Sequence, residues 1–325
     1  MSNFALPMDL PKFSAAVTDC KSQFAPARLA ACVAFSLAAD ADVSEAVRLL
    51  TEMIRDSELE IRAQAVESLA TLAAQGAVID KALLMKILAD DVPEVRAVLL
   101  QSGDVLLENP LETAEASIDS DDDLIRYSAT ILLGALAGER ALELLEKQLT
   151  DASCDVRLAA AFQLGENGNE QSAALLEAVA ARQEDAAPEA IVLLAELGLS
   201  RSEAVLAQLA ARRFGATELK TLAIAALARI RHDSVSTPLL EMFESRRRSR
   251  RQSALRACAA IPVAGMAEPL AKWVQLFQRD EDSSAALWAL WTTTQKFPAT
   301  ASVLDKLRPR LRPSLLHELA DYEKG

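Results

Sequence analysis

The sequence predicts an all-α protein built from consecutive pairs of helices. A short motif recurs about every thirty residues over most of the 325-residue chain. Before most copies of the motif, apolar residues recur at three- and four-residue intervals, as one buried helical face requires. Only 4% of the residues are aromatic, and the dominant residues, alanine and leucine, are strong helix formers. A fixed period of this length is typical of a solenoid, in which each unit packs on its neighbours.

The motif consists of an aspartate, then an isoleucine or valine followed at once by arginine, then a small or apolar residue three positions later. It is clearest in four segments, which begin "DSELEIRAQAV", "DDVPEVRAVLL", "SDDDLIRYSAT" and "DASCDVRLAAA". Their first residues are Asp56, Asp90, Ser120 and Asp151, and their arginines are Arg62, Arg96, Arg126 and Arg157. The arginines are 34, 30 and 31 residues apart.

The same frame continues more weakly on both sides of these segments. Upstream it reaches Arg28 in "APARLAACVAFSLAA". Downstream the arginine position is occupied by Ala190, Lys220, Arg251 and Ser284. The frame therefore predicts about nine two-helix units.

We expect the aspartate to close the turn between the two helices and to cap the second helix by accepting free N–H groups. The arginine lies about two helical turns later and can reach the same aspartate or that of the adjoining unit, since both suit a carboxylate–guanidinium pair. Stacked units would then form a ladder of pairs, while the branched residue and the residue three positions later pack inside. The predicted Arg–Asp ladder comprises Asp56, Arg62, Asp90, Arg96, Arg126, Asp151 and Arg157.

The first helix of each unit is predicted from the amphipathic stretches between the motifs. The clearest are residues 43–56, 78–90, 138–151, 169–182, 234–245 and 266–278. The stretch before Arg126, "NPLETAEASIDSDDD", allows only a short first helix, so we expect an irregularity there. Glycines between units fit helix termination, because glycine tolerates positive φ.

This pattern resembles the HEAT repeat family, and within it the short bacterial type called PBS-lyase HEAT-like repeats. The resemblance is strong from residue 42 to 168 and looser beyond, where Ala190 and Ser284 replace the motif arginine. It implies one right-handed α-α superhelix, an α-solenoid, over residues 1–325. Such a resemblance concerns the fold and says little about activity.

The charge is divided unevenly along the chain. Residues 1–200 hold 14 basic and 34 acidic residues, whereas residues 201–325 hold 20 basic and 13 acidic ones. We therefore distinguish an acidic portion, 1–200, from a basic portion, 201–325, in which the repeats are degenerate. This asymmetry affects the choice of partner rather than the fold.

The arginine run "SRRRSRRQSALR" is the sharpest candidate for a binding site. Arginines at a helix start oppose the helix dipole, and arginine clusters recognise acidic motifs, phosphates and nucleic acids. Two nearby tryptophans share a helical face, which fits either a binding surface or the filling of the terminal core. The predicted partner-binding residues are Arg246, Arg247, Arg248, Arg250, Arg251, Arg256, Trp288 and Trp291.

No catalytic, metal or cofactor site is predicted. The four cysteines are scattered without a C-x-x-C pair, there are only two histidines, and no nucleophile–base pair or phosphate-binding loop is recognisable. The N-terminus lacks the features of a secretory signal, and no stretch approaches 18 uninterrupted apolar residues. We therefore expect a cytoplasmic protein without a membrane span.

These observations favour a non-enzymatic scaffold or adaptor that binds protein on the curved surface of the solenoid. The basic portion would face an acidic partner, and the acidic portion leaves self-association open. One alternative is a chromophore attachment factor or chaperone of the bilin lyase kind, which only the resemblance implies. The other is a HEAT-like nucleic-acid-binding protein, which the sequence pI of about 4.8 disfavours.

Overall fold

The computed structural model describes residues 10–89, 92–182, 185–212, 217–231, 236–280 and 282–323. In these ranges the regular elements are 21 α-helices and five short 3₁₀ helices, without a strand, so the all-α prediction is confirmed. Contacts group the helices into two units, one ending at Asn167 and the other beginning at Gly168. This division does not coincide with the change of charge at residue 200. None of the helices in the described ranges has the length and apolar character needed to cross a bilayer.

The described part of the N-terminal unit contains five helix pairs and one additional short helix, α7. The second helices of successive pairs pack on one another, in the order α2, α4, α6, α9 and α11. The helices are α1 (Phe13–Asp19), α2 (Ala25–Ser36), α3 (Val43–Met53), α4 (Leu59–Ala74), α5 (Lys81–Leu88), α6 (Pro93–Gln101), α7 (Gly103–Leu106), α8 (Pro110–Ser117), α9 (Asp123–Leu136), α10 (Glu139–Gln148) and α11 (Cys154–Glu166).

The described part of the C-terminal unit contains five further pairs, whose second helices α13, α15, α17, α19 and α21 pack successively. The last pair, α20 and α21, follows the final copy of the motif frame, so the structure has one pair more than the frame counts. The helices are α12 (Ala173–Arg182), α13 (Ala187–Leu197), α14 (Glu203–Ala211), α15 (Thr217–Arg231), α16 (Ser236–Phe243), α17 (Arg248–Ala260), α18 (Ala267–Leu276), α19 (Ser283–Lys296), α20 (Ala301–Leu307) and α21 (Pro313–Tyr322).

The branched residue of each motif lies in the interior, as predicted. Ile61, Val95, Ile125 and Val156 are all buried, and so are the residues three positions after the motif arginine. Full burial of such an aliphatic side chain contributes about 1.5–3 kcal/mol. The motif therefore marks the side of each second helix that faces the rest of the unit.

The expected irregularity before Arg126 is present. The first helix of that pair, α8, has only eight residues, and the four-residue α7 precedes it. Helix α7 packs against α9 through Gly103, where an added Cβ would lie 2.7 Å from side-chain atoms of Leu107 and Leu132. The absence of a side chain at Gly103 therefore permits this close approach.

Candidate functional site

The turn between the two helices of a pair has the same hydrogen bond in six of the described pairs. A serine or aspartate oxygen accepts the backbone N–H two residues later, as in Asp151, which accepts from Ser153 at 2.7 Å. In every case the donor is the N-cap residue of the second helix, so the side chain closes the turn just before the helix instead of capping its first turn. The turn residues are Ser22, Asp56, Ser120, Asp151, Ser245 and Asp280.

The motif arginine links this turn to the next pair. Arg126 donates through Nη1 to the carbonyls of Ser120 and Asp121, at 2.8 and 3.3 Å. Its Nε and Nη2 donate to the two carboxylate oxygens of Asp151 at 2.8 and 3.0 Å. The sequence allowed the arginine to pair with the aspartate of its own unit or with that of the adjoining unit. In the structure, Arg126 pairs with the carboxylate of the adjoining unit.

Arg28 and Asp56 repeat this arrangement, with donor–acceptor distances of 2.7 and 2.9 Å. Both ion pairs are largely buried. The hydrogen bond from Arg126 lowers the pKa of Asp151 against the opposing effect of burial. Burial raises the pKa of Asp56, but hydrogen bonds from Arg28 and a backbone N–H outweigh it and leave that pKa below its usual value.

Two other predicted ladder arginines make the contacts within their own turn. Arg62 Nη1 donates to the Asp56 carbonyl at 3.0 Å, and Arg157 Nη1 donates to the Asp151 carbonyl at 2.7 Å. Asp90, the predicted carboxylate of the pair after Arg62, lies outside the described residues. The arginine's contact with its own turn is thus a regular feature of the motif.

The ladder is interrupted at Arg96. This side chain is exposed, and it forms no ion pair within the described part of the chain. The equivalent of Asp151 in the following pair is Ser120, which closes its turn by accepting the Asp122 N–H at 3.3 Å but has no carboxylate to offer. A serine can therefore replace aspartate in the turn but not in the ion pair.

Arg251, one of the predicted partner-binding residues, makes contacts like those of the motif arginines. Its Nη1 donates to the carbonyls of Ser245 and Arg246 at 3.1 and 3.4 Å. Its Nη2 lies 3.7 Å from Oδ2 of Asp282, a carboxylate whose side chain is only 5% exposed. Arg248 Nη2 lies 3.5 Å from the other oxygen of Asp282. Both arginines therefore face Asp282, Arg251 as a largely buried side chain and Arg248 as one that is 50% exposed.

Arg246, Arg247 and Arg250 are exposed at the start of α17. No ion pair joins them to a carboxylate among the residues that the structure describes. The first turn of α17 contains no acidic residue, as is also true of α2, α19 and α21. The other described second helices, α4, α6, α9, α11, α13 and α15, each have one there. These three residues, which we call the arginine cluster, therefore place free positive charge where the helix dipole disfavours it.

Arg256 lies apart from the arginine cluster. It lines a groove of about 210 Å³ formed by α13, α15 and α17, together with Glu189 and Glu218. The six predicted arginines therefore belong to different surroundings: three form the cluster, two face Asp282 and one lines the groove on the second helices.

The predicted tryptophans pack against the last helix of the structure. Trp288 and Trp291 stack with ring centroids 5.0 Å apart, and both contact Tyr322 of α21, at 4.9 and 5.9 Å. Burial raises the pKa of Tyr322 to about 12. Helix α21 thus covers part of the face that the two tryptophans share. Trp291 is partly buried, whereas Trp288 stays 39% exposed, so this face is partly terminal core and partly exposed surface.

An aromatic cavity that the sequence did not identify adjoins the arginine cluster. Phe243 of α16 lies 5.8 Å from Trp273 of α18, and Trp273 lies 5.3 Å from Phe277, measured between ring centroids. The cavity has a volume of about 410 Å³, and Arg246 is among its lining residues. The only sequence signal was the four-residue spacing of Trp273 and Phe277, which places them on one helical side.

Comparison with known proteins identifies the repeat type. The family model for HEAT repeats matches residues 111–188. No curated protein matches the chain. A crystal structure of an engineered protein is 17% identical and covers 95% of this chain and 97% of its own, with a TM-score of 0.33, which is too low to support an argument. The match does not specify the PBS-lyase type, which stays a prediction. The family match identifies HEAT repeats in residues 111–188, and the helix pairs and the motif continue the same arrangement on both sides of that segment in the described residues.

Proposed function

We propose that this HEAT-repeat protein is a scaffold or adaptor that binds an acidic protein partner through the arginine cluster. Arrays of helical repeats present extended surfaces that commonly bind other proteins. The observation that carries the proposal is the exposure of Arg246, Arg247 and Arg250 without a described carboxylate partner at a helix start. Arginine is well suited to a partner's carboxylates, because its planar group donates two parallel hydrogen bonds.

The contrast within the same run supports this role. Arg248 and Arg251 face the buried Asp282, so part of the run has a structural function. No described carboxylate of the unit pairs with the arginine cluster in this way, although the positive charge of the cluster opposes the dipole of α17. Residues that break a local rule without an internal gain are typical of functional sites.

A protein partner fits the charge of the chain better than a nucleic acid. The formal net charge of −13 opposes any anionic partner at long range, and most strongly a nucleic acid, which carries a negative charge at every nucleotide. Binding dominated by phosphate contacts needs many well-placed cations, whereas the arginine cluster offers three. A limited basic surface suits a localised acidic segment of a protein.

The test compares the full chain with two triple variants in affinity purification from the source lysate. One variant carries Arg246→Gln, Arg247→Gln and Arg250→Gln. The control carries Lys21→Gln, Arg55→Gln and Arg96→Gln, which remove the same charge from exposed positions in the N-terminal unit.

We expect acidic proteins that bind the wild-type chain and the control to be lost from the cluster variant, with circular dichroism unchanged. Binding to the wild-type chain should also weaken as salt is raised, because exposed charges are screened. Equal recovery of the same partners by all three proteins would overturn the proposal.

A further inference from the structure

We infer that the aromatic cavity takes a large apolar side chain of the acidic partner, so that the recognised segment is an apolar anchor flanked by acidic residues on both sides. This inference rests on the proposed function and adds the chemistry of the bound segment to it. It places the contact on the edge formed by the turns of two neighbouring pairs, away from the groove on the second helices.

The walls of the cavity are suited to an apolar side chain. Phe243, Trp273 and Phe277 form a continuous aromatic row, and a volume of about 410 Å³ lies within the range of ligand pockets. Leu276 and Phe277 at its mouth are 63% and 49% exposed. Exposed apolar residues beside a cavity with a polar rim are typical of a binding site.

Cations lie on both sides of this apolar mouth. On one side, Arg246 and Lys272 line the aromatic cavity. On the other side, Leu276 and Phe277 also border a second depression of about 650 Å³, whose lining includes Arg279 and Arg312.

Arg312 contributes positive charge to the lining of the second depression. Its Nε is buried and has no hydrogen-bond acceptor among the described residues, so the contribution of this residue to the depression is its charge and not a hydrogen bond from Nε.

Among the described residues, the rim also contains two carboxylates, which limit where an acidic segment can lie. Asp280 already accepts the backbone N–H of Asp282 at 2.9 Å, and Glu244 lies beside Arg246 in the turn. The exposed cations near the mouth outnumber these acids once the arginine cluster is counted. Charge complementarity therefore selects acidic flanks, while the aromatic row selects the anchor.

The test measures fluorescence anisotropy of two labelled peptides with the full chain. Both peptides carry the same acidic residues on each side of a central pair, which is Leu-Phe in one and Ser-Ser in the other. We expect the Leu-Phe peptide to bind about tenfold more tightly or better, since burying one such side chain changes affinity by at least that factor.

Leu276→Ser should remove most of this preference. The matched control is Leu37→Ser, which changes a leucine of similar exposure, 68%, in the N-terminal unit and should leave the preference intact. The cluster variant with three glutamines should weaken the binding of both peptides.

Equal affinity for the two peptides, or an unchanged preference in Leu276→Ser, would overturn the anchor while leaving the proposed function intact. Failure of both peptides to bind the wild-type chain would also overturn the anchor proposal. The affinity purification would then test the proposed function separately, because loss of partners from the cluster variant alone would still support it.

Discussion

Removal of the Asp151 carboxylate should destabilise the N-terminal unit by about 3 kcal/mol. Asp151→Ala takes away both hydrogen bonds to Arg126, at 2.8 and 3.0 Å, and the turn bond to Ser153 at 2.7 Å. Breaking a buried ion pair by removing one partner costs about 3–5 kcal/mol. Arg126 retains its bonds to the carbonyls of its own turn, so we expect the lower end of that range.

Two further variants separate the ion pair from the turn. Asp151→Asn keeps an acceptor for the Ser153 N–H but loses the charge, so its cost should lie between that of Asp151→Ala and that of a lost turn bond. Ser120→Ala removes the equivalent turn bond, 3.3 Å long, where no ion pair exists, and should cost about 0.5–1.5 kcal/mol. A double-mutant cycle with Arg126→Ala isolates the pairwise contribution.

Hydrogen exchange measured by mass spectrometry is the appropriate assay, because repeat arrays do not always unfold in one step. Amides of α9 and α11 should exchange faster in Asp151→Ala, while those of the C-terminal unit serve as the internal reference. If Asp151→Ala accelerates exchange no more than Ser120→Ala does, the Arg–Asp ladder does not stabilise the stacking of pairs.

Three other predictions concern the pH dependence of stability, the two kinds of arginine in α17 and the reactivity of the cysteines. The folded-state pKa values of Asp56 and Asp151 are lowered. Their contribution to the free energy of unfolding should therefore be complete above roughly pH 4, the unfolded pKa, and should be lost as the pH falls through the folded pKa values. Chemical denaturation at a series of pH values should show this loss in the wild type and a weaker one in Asp151→Asn. Arg251→Ala should destabilise the C-terminal unit by about 1–3 kcal/mol, and Arg250→Ala by less than about 0.5 kcal/mol. Unfolding followed by tryptophan fluorescence measures both effects, and equal effects would contradict a structural role for Arg251. A thiol-reactive disulfide such as DTNB should modify Cys154 first. The other three cysteines are buried, and burial raises their pKa values. Simultaneous reaction of all four thiols would contradict this packing.

The helix pairs were predictable from the sequence because burial imposes a period that survives in the residue pattern. Ile61 and Ile125 carry that period, and both are buried. The direction of the motif arginine was not predictable, since the spacing allowed either aspartate. Only the packing of consecutive turns brings Arg126 to Asp151.

The candidate site was partly predictable. The arginine run stood out by composition, but the role of Arg251 depended on Asp282, which follows the turn residue Asp280 by two positions and so fell outside the expected ladder position. The aromatic cavity depends on Phe243 and Trp273, which lie thirty residues apart and meet only because α16 and α18 belong to neighbouring pairs. No local pattern encodes such a contact.

Site-specific photocrosslinking tests most directly whether the partner binds at the turn edge that carries the arginine cluster. A benzophenone amino acid would be placed at Ser249, which is exposed between the arginines, or at Glu189, which is exposed on the groove of the second helices. We predict that an acidic partner crosslinks from position 249 and not from position 189. Crosslinking from position 189 alone would contradict binding at this edge.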